Sequence, residues 1–507
     1  MKRHNVKIKA ICLLLCIFFC TVHMACKKLI AVDEPINTLT TTEIFSTDAT
    51  ATASMAGVYS TMINGSIGGS AAGSSGSEFS AGVTTIVSAQ SSDELYAYSS
   101  VSNPSADVYG SNHLTALNAG YSTPIWTSAY DIIYKSNSVI EGISASRASM
   151  LHDSVRNELT AEAKFARAFS YFYLTNFFGD VPMALTVDFN KTENLARMPQ
   201  QQVYRQIITD LKAAQAALPA DYSGGHGERI IPNKWAATLL LARAYLYTGD
   251  YADAATQASA VINNSSLFGL EPDINNVFST TSREAVWQLK QTATDGTLKN
   301  ATPEGIALSA STTDHHGYPN YGLTNELLSA FEPGDQRRVK WVDSTDDANQ
   351  GGPGSTPQPQ PMIYYPYKYI ISFGNADASQ PPPQYYTVLR LAEAYLIRAE
   401  AEANGATGGA AAAIADLNII RNRAGLPNLS SNLIQQQVIS AVAQERRIEF
   451  FAEWGHRWFD LKRTGQAHAA LSAIPAKQPW AGDYQLLYPI PQSEIIIDHF
   501  LTQNAGY

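Results

Sequence analysis

Two long stretches of the chain carry the same paired helical pattern, and this repeat constrains the fold more than any other feature. The stretch Asn233–Asn263 reads NKWAATLLLARAYLYTGDYADAATQASAVIN, with Gly249 at the turn between two helices. The stretch Val388–Gly425 repeats the Ala-Tyr-Leu triplet, has Gly405 as its turn and carries alanines in the returning helix. Small residues let antiparallel helices approach closely, and glycine permits the tight reversal. One pair cannot bury its own apolar face, so the pattern predicts several stacked pairs.

Other segments add single helices to this scaffold. Apolar spacing predicts helices over Asp48–Met62, Trp126–Ile143, Leu159–Phe178, Val203–Leu218 and Ile434–Lys462, with a break at Gly455 in the last. The pairs resemble tetratricopeptide units. The predicted fold is therefore mainly α, a superhelix of tetratricopeptide-like pairs with long irregular loops and few short strands, one of them within EAVWQLK.

Two regions, 64–113 and 267–386, interrupt the scaffold. The first contains a glycine- and serine-rich run, and the second has little periodicity over its whole length. Long irregular segments are uncommon in a compact domain unless they bind something. We therefore interpret residues 26–507 as a single domain in which these two regions are inserted ligand-binding loops.

The N-terminus has the features of an export signal. A basic start is followed by an apolar run at 10–20 and by the sequence Val-His-Met-Ala-Cys, which ends at Cys26. This pattern predicts a signal peptide over residues 1–25. A cysteine directly after the cleavage point predicts a bacterial lipoprotein with lipid on Cys26. The alternative is an ordinary signal peptide with an incidental cysteine, since His23 stands where such a motif usually has leucine.

Charge and hydropathy exclude other classes of protein. The first 25 residues hold four basic and no acidic side chains, so the chain from Cys26 on has 31 basic and 45 acidic groups, a net charge of −14. So acidic a surface repels phosphate backbones, and no nucleic acid partner is expected. No second apolar run of about 18 residues is present, so we predict a protein that is tethered to a membrane and does not span one.

Six blocks, in order along the chain, resemble the SusD/RagB family of outer-membrane lipoproteins. They are WTSAYDIIYKSNSVIEGI, LTAEAKFARAFSYFYLTNFFGDVPM, LLARAYLYTGDYADAATQASAVI, LRLAEAYLIRAEAEA, ERRIEFFAEWGHRWFDLKR and the closing LYPIPQSEI with QNAGY. The resemblance implies a non-catalytic, surface-exposed lipoprotein of the outer membrane. It further implies that the protein binds oligosaccharide or polysaccharide and delivers it to a SusC-like TonB-dependent transporter. The alternatives are a RagB-like protein that binds peptide, a surface glycoside hydrolase, and a scaffold that binds only another protein.

Two loop segments offer the side chains that a sugar site needs. Aromatic rings stack on the C–H faces of pyranoses, and a few polar groups orient the hydroxyls. The predicted ligand-binding residues are Asp93, Tyr96, Tyr98, Asn103 and Tyr109 in the first segment and His315, Tyr318, Asn320 and Tyr321 in the second. The alternative is that these tyrosines pack the loops onto the scaffold.

Paired carboxylates raise the possibility of catalysis and of metal binding. Glu445, Glu449 and Glu453 recur at helical spacing beside several arginines, which favours salt bridges over glycosidase acid/base chemistry. Adjacent histidines at 315–316 point apart, and no metal motif accompanies them, so no cofactor and no metal are expected. Weak Ca²⁺ binding by the loop carboxylates of Asp343, Asp346 and Asp347 remains an alternative, although these residues lack EF-hand spacing.

Overall fold

The computed structural model describes residues 40–64, 78–98, 107–291, 298–310, 319–345 and 362–507. Most of the regular structure is helical. The α-helices are α1 (Thr41–Ile44), α2 (Asp48–Asn64), α3 (Thr84–Ser91), α4 (Ser122–Ala145), α5 (Asp153–Phe178), α6 (Phe189–Thr192), α7 (Gln200–Ala217), α8 (Lys234–Thr248), α9 (Tyr251–Ile262), α10 (Pro303–Leu308), α11 (Asn325–Leu328), α12 (Gln336–Lys340), α13 (Leu391–Ala403), α14 (Gly409–Arg423), α15 (Gln435–Glu449), α16 (His456–Arg463), α17 (Ala467–Leu471) and α18 (Gln492–Ile497).

Eight long helices form one continuous stack. In the order α4, α5, α7, α8, α9, α13, α14 and α15, each helix packs against the next. Helix α9 contacts α13 directly although about 130 residues separate them in the chain. Region 267–386 therefore leaves the stack unbroken.

Both predicted turns between paired helices are confirmed. Gly249 closes α8 in the left-handed conformation at φ +76°, and Gly405 follows α13 at φ +105°. A side chain with a Cβ is strained at such angles, so glycine ends each helix and lets the partner helix return.

Two helix boundaries differ from the predictions. Residues 388–390 belong to a strand that runs directly into α13, and all the side chains of this strand are buried. The predicted helix over Ile434–Lys462 ends at Glu449 and resumes at His456. Between them Ala452, Trp454 and Gly455 all have positive φ, so the break spans the turn before Gly455 as well as the glycine itself.

The strands are short and pair in four separate two-stranded antiparallel sheets: β1 with β5, β2 with β3, β4 with β8, and β6 with β7. Their bounds are β1 (Leu95–Ala97), β2 (Val181–Pro182), β3 (Arg197–Met198), β4 (Ala285–Leu289), β5 (Tyr321–Leu323), β6 (Val342–Thr345), β7 (Ile363–Pro366) and β8 (Tyr386–Arg390). Strand β4 is the predicted one within EAVWQLK. Six of the eight strands flank or lie in the inserted regions, so the sheets shape the insertions and the helices form the scaffold.

Aromatic side chains hold the inserted regions against the helical stack. The Phe169 ring on α5 packs edge to face against Trp287 on β4 and against Trp454, with ring centroids 5.3 and 5.6 Å apart. Trp454 stacks in turn on Tyr386 of β8 at 4.7 Å. Edge-to-face and offset contacts are the favourable geometries for such rings. Within the part of the chain that the structure describes, no helix is both long and apolar enough to span a bilayer.

Candidate functional site

A strand pairing brings together the two loop segments that the sequence singled out. Strand β1 pairs with β5 so that Tyr96 faces Gly322 and Ala97 faces Tyr321. The pairing continues one residue further, where the Tyr98 N–H donates to the Asn320 carbonyl at 2.8 Å. Segments more than 220 residues apart in the sequence thus share one small sheet, and their side chains surround the same space.

Beside this sheet lies a cavity of about 680 Å³, which we call the strand cleft. Its walls come from β1, β5, α11, the start of β7 and the 474–477 turn. Two tyrosines, Tyr96 and Tyr364, line it and are half-buried, and the exposed Met362 lies beside them. Polar groups of Ser111 and Asn325 line the remaining surface. Flat rings next to hydroxyl and amide groups are the composition of a site for a polar organic ligand.

A glycine on the opposite strand makes room for the Tyr96 ring. A Cβ added at Gly322 would lie 2.5 Å from the Tyr96 ring, which is far inside van der Waals contact. The ring therefore lies directly over the bare backbone of β5. Only glycine leaves that space, so Gly322 sets the position of an aromatic surface in the cleft.

Asp93 lines the strand cleft, but its carboxylate is committed to ion pairs. Arg457 binds both carboxylate oxygens at 2.8 Å, and Arg447 binds one of them at 2.8 Å. Burial would raise the pKa of Asp93, and the Arg457 hydrogen bonds with the charges of Arg457 and Arg447 outweigh burial and lower it. A carboxylate in this state anchors the loop before β1, so direct contact of Asp93 with a ligand is disfavoured.

The other predicted site residues differ in their positions. Tyr109 is buried in the core between Tyr121 and Tyr488, with centroids 5.7 and 5.5 Å away, and its hydroxyl accepts the Tyr121 N–H. This is the packing role that the sequence left as the alternative. Asn320 is exposed, while Tyr98 and Tyr321 are half-buried at the ends of the strand pair and do not line the cleft. Predicted residues outside the described part of the chain are Cys26, Asn103, His315 and Tyr318.

Several residues that build the strand cleft were not predicted from the sequence. Asp107 accepts the Ala97 N–H at 3.0 Å and the Gly110 N–H at 2.7 Å, and so ties β1 to the following loop. The Asp-x-x-Gly turn at 107–110 was a usable signal for this role. The Arg338 guanidinium lies over the Tyr364 ring, 4.5 Å from its centroid. Tyr364 is one of several tyrosines in its stretch of sequence, and the periodicity of that stretch does not predict which of them lines a cavity.

Lys477 is a further residue that sequence reasoning missed. Its ammonium group is 2% exposed and donates to four oxygens: the carbonyls of Gln90, Ser91 and Gly110 at 3.0, 3.1 and 2.8 Å and Asn112 Oδ1 at 2.9 Å. Burial lowers the pKa of Lys477 to about 7. One lysine on the floor of the cleft thus joins the two loops that flank β1.

The carboxylates of α15 and the turn after it are ion-paired, as predicted, but with unexpected partners. Arg337 binds Glu445 at 2.6 Å and Glu449 at 2.9 Å, and Arg390 binds Glu453 at 2.9 Å. The sequence suggested the neighbouring Arg446, Arg447 and Arg457, which instead bind Asp460 and Asp93.

Burial raises the pKa of Glu445, but the electrostatics of Glu449 do not suit an acid catalyst. Burial would raise the pKa of Glu449, and the charges of Arg423, Arg390 and Arg337 hold it well below its usual range. Among the described residues, no group of three or more metal-ligating side chains is close enough to hold an ion. Asp343 is hydrogen-bonded by the Tyr365 hydroxyl at 2.9 Å, and Asp346 and Asp347 lie outside the described residues.

The fold and cleft define a binding protein built on helical repeats, and sequence comparisons place it in a family. Residues 348–507 match a family model described as the SusD family, and residues 60–246 match one described as starch-binding associating with outer membrane. SusD-like protein P2 of Formosa agariphila is 27% identical over 424 residues, which cover 76% of this chain and 81% of that protein. Starch-binding protein SusD of Bacteroides thetaiotaomicron is 27% identical over 433 residues, 68% of this chain and 72% of that protein.

Solved structures agree with this placement. A laminarin-binding SusD-like protein superposes with a TM-score of 0.73 at 24% identity, covering 91% of this chain and all of that one (100%). Surface glycan-binding protein A from Bacteroides thetaiotaomicron gives a TM-score of 0.71 at 20% identity, with 91% and 100% covered. The chain belongs to the SusD/RagB family and has its mainly helical fold.

Proposed function

We propose that the strand cleft binds an oligosaccharide or polysaccharide chain outside the cell. The observation that carries this proposal is the pair of half-buried rings, Tyr96 and Tyr364, set beside polar groups in one cavity of about 680 Å³. Such rings offer flat apolar surfaces to the C–H faces of a sugar, while serine and asparagine orient its hydroxyls. Relatives named for binding starch and laminarin support carbohydrate as the cargo.

The proposed mechanism is capture without bond cleavage. The protein then passes the bound chain to a SusC-like TonB-dependent transporter in the outer membrane. The carboxylates that sequence spacing offered for acid/base work, Glu445, Glu449 and Glu453, are buried in ion pairs with arginine or lysine. A general acid needs a proton to give at neutral pH, and the guanidinium neighbours of Glu449 lower its pKa and disfavour its protonated form. This arrangement supports a non-catalytic role.

Anchoring is part of the same proposal. Cleavage after residue 25 would leave Cys26 to carry lipid and hold the protein at the outer membrane, exposed at the surface. The family model described as associating with outer membrane supports this location. Intact-mass measurement of the protein purified from its native membrane tests the anchor: an unmodified Cys26 would rule it out.

The binding proposal is tested by calorimetry with the mature chain and oligosaccharides from starch and laminarin. We expect Tyr96→Ala to weaken binding about tenfold, since stacking and lost burial together contribute on the order of 1.4 kcal/mol. The matched control is Tyr134→Ala, because Tyr134 is 58% exposed on α4 and lies outside the strand cleft. Equal effects of the two substitutions, or binding of peptides in place of glycans, would overturn the assignment. Release of reducing sugar from the oligosaccharides would overturn the non-catalytic role.

A further inference from the structure

A second cavity of about 590 Å³ lies on the helical side of the protein, and we call it the helix cleft. It is bounded by the α8–α9 turn, the end of α13, one face of α15, and α16. Its walls differ from those of the strand cleft because four arginines line it: Arg446, Arg447, Arg457 and Arg463. Only two carboxylates, Glu400 and Asp460, line it among the described residues.

Two of the arginines are balanced by these carboxylates. Arg446 binds Asp460 at 2.7 Å, and Arg463 binds Glu400 at 2.5 Å and Asp460 at 2.8 Å. The four side chains are at most 16% exposed, so they form a compact and nearly neutral floor. The charge of the cleft is therefore decided by the other two arginines.

Arg447 and Arg457 share a single carboxylate. Both bind Asp93 at 2.8 Å, and the side chains are 15% and 14% exposed. The adjacent Glu94 does not supply the missing negative charge, because burial raises its pKa to about 8 and keeps it protonated at neutral pH. The four arginines thus exceed by one the carboxylates that ion-pair with them, Glu400, Asp460 and Asp93, in a chain whose overall charge is −10.

Two guanidinium nitrogens of this group are also without partners. Arg446 Nη1 and Arg447 Nε are buried, and neither has a hydrogen-bond partner among the described residues. Buried donors in folded proteins are nearly always satisfied, and an exception calls for an explanation, such as a bound water or ion. A surplus cation with unpaired N–H donors matches the chemistry of an anionic ligand.

The uncharged lining indicates what carries the anion. Tyr247 and Tyr251 contribute half-buried rings, and Asn404, Gln436, Ser440 and Gln466 contribute amide and hydroxyl groups. Rings and paired hydrogen-bonding groups suit a sugar better than a bare inorganic ion. We propose that the helix cleft is a second binding site, for the carboxylate or sulfate group of an acidic sugar residue.

The acidic-sugar site in the helix cleft is separate from the glycan site in the strand cleft. Asp93 lines the strand cleft, whereas Arg447 and Arg457 line the helix cleft, so the same ion pairs form a wall between the two cavities. The two sites are therefore neighbours that take different ligands. Tyr96→Ala should leave acidic sugar binding unchanged, which separates failure at one site from failure at the other.

The test is calorimetry on the mature chain with four probes: methyl glucuronide, glucose 6-sulfate, methyl glucoside and inorganic sulfate. We expect one or both acidic sugars to bind at least about tenfold more tightly than methyl glucoside, and their affinity to fall with added salt. Methyl glucuronide alone would identify a carboxylate site, and glucose 6-sulfate alone a sulfate site. Inorganic sulfate binding as tightly as the acidic sugars would overturn the sugar assignment, and no binding by any charged probe would overturn the site.

Two substitutions of alanine by glutamate test where the acidic sugar binds. Ala443 is exposed on α15 and lines the helix cleft, so Ala443→Glu should weaken acidic sugar binding about tenfold by charge repulsion. The control is Ala415→Glu, at an exposed position of α14 outside the cleft, which should bind as the wild type does. Both sites are on helix surfaces, and thermal melting checks that both variants fold. An unchanged affinity in Ala443→Glu would overturn the proposal.

Discussion

Helix α15, with the turn after it, and the strand cleft are both rich in polar and aromatic side chains, yet the two regions use them in opposite ways. Glu449 is fully buried and bound by Arg337 and Arg390. Tyr96 and Tyr364, by contrast, keep part of their rings exposed beside an open cavity. Buried groups whose bonds are all made inside the protein stabilise the fold, and partly exposed groups remain available for a ligand. The comparison separates the residues that hold this protein together from those that bind.

The largest effect is expected where a buried charge loses its partner. Arg390 is 2% exposed and binds Glu284 and Glu453, each at 2.9 Å. Arg390→Met should lower the free energy of unfolding by about 3–5 kcal/mol, because it removes a positive charge that several buried carboxylates share. Urea unfolding measures the change. As a control, Lys191→Met removes an exposed pair with Asp188 and should leave stability nearly unchanged. A small loss in Arg390→Met would mean that the α15 network is no more structural than a surface pair.

Lys477→Met tests how much the hydrogen bonds on the floor of the strand cleft contribute to stability and to glycan binding. The substitution keeps the length of the side chain but removes the donor that four oxygens share, of which only the Ser91 carbonyl keeps a second bond among the described residues, from Asn112 Nδ2. We expect a loss of about 1–3 kcal/mol in unfolding free energy together with weaker glycan binding, because the loops flanking β1 come apart. Lys212→Met, at an exposed site on α7, is the control for charge removal. Unchanged glycan affinity would show that Lys477 does not organise the cleft.

A carboxyl group that lacks a cationic partner in the core gives a pH-dependent prediction. Glu304 is 2% exposed and accepts a hydrogen bond from the Tyr386 hydroxyl at 2.8 Å. Burial raises its pKa to about 8 from an ordinary value of 4.5, so the folded state holds a proton that the unfolded state releases. The stability this gives is fully present below pH 4.5 and is lost as pH rises through 8, at about 1.4 kcal/mol per pH unit in between.

Glu304→Gln removes this titration and keeps the shape of the side chain. Chemical unfolding from pH 5 to 9 should therefore show a flatter decline in stability for the variant than for the wild type. Glu228→Gln is the control, because Glu228 is half-exposed and pairs with Lys290 at 2.7 Å. Parallel pH profiles for the wild type and Glu304→Gln would contradict a protonated Glu304 in the folded protein.

The smallest effect on stability is expected in the strand cleft itself. Gly322→Ala places a methyl group 2.5 Å from the Tyr96 ring, which is half-buried and therefore free to shift. We expect glycan affinity to fall about fivefold, with a change of at most about 1 kcal/mol in unfolding free energy. Gly120→Ala, where nothing lies within 4 Å of the added Cβ, is the control. Full affinity in Gly322→Ala would mean that the position of the Tyr96 ring does not matter for binding.

The helical part of the fold was predictable from local patterns. The α8–α9 and α13–α14 pairs followed from apolar spacing, small residues and the turn glycines Gly249 and Gly405, all of which act within about 15 residues. The last three residues of β8 were read as helix because they lie directly before α13. A short buried strand and a helix turn have the same composition, and only pairing with β4 distinguishes them.

The candidate site was predictable in part. Both segments of the strand pair were recognised from their tyrosines, and Tyr96 lines the cleft as expected. Asp93 and Tyr109 were chosen for the same reason, yet the first is ion-paired and the second is packed in the core. Residue type shows that a side chain can bind a sugar, whereas its exposure depends on neighbours that are distant in the sequence.

Local sequence thus determined the helices, their turns and the stacked-pair architecture, because hydrophobic period and glycine geometry act over short distances. Only the tertiary structure decided that β1 meets β5 and that Glu449 binds Arg390 and Arg423 instead of the arginines beside it in α15. Those partners are brought close by the folding of segments between 26 and more than 220 residues apart. Ion pairing and cavity formation depend on distance in space, and no one-dimensional spacing encodes it.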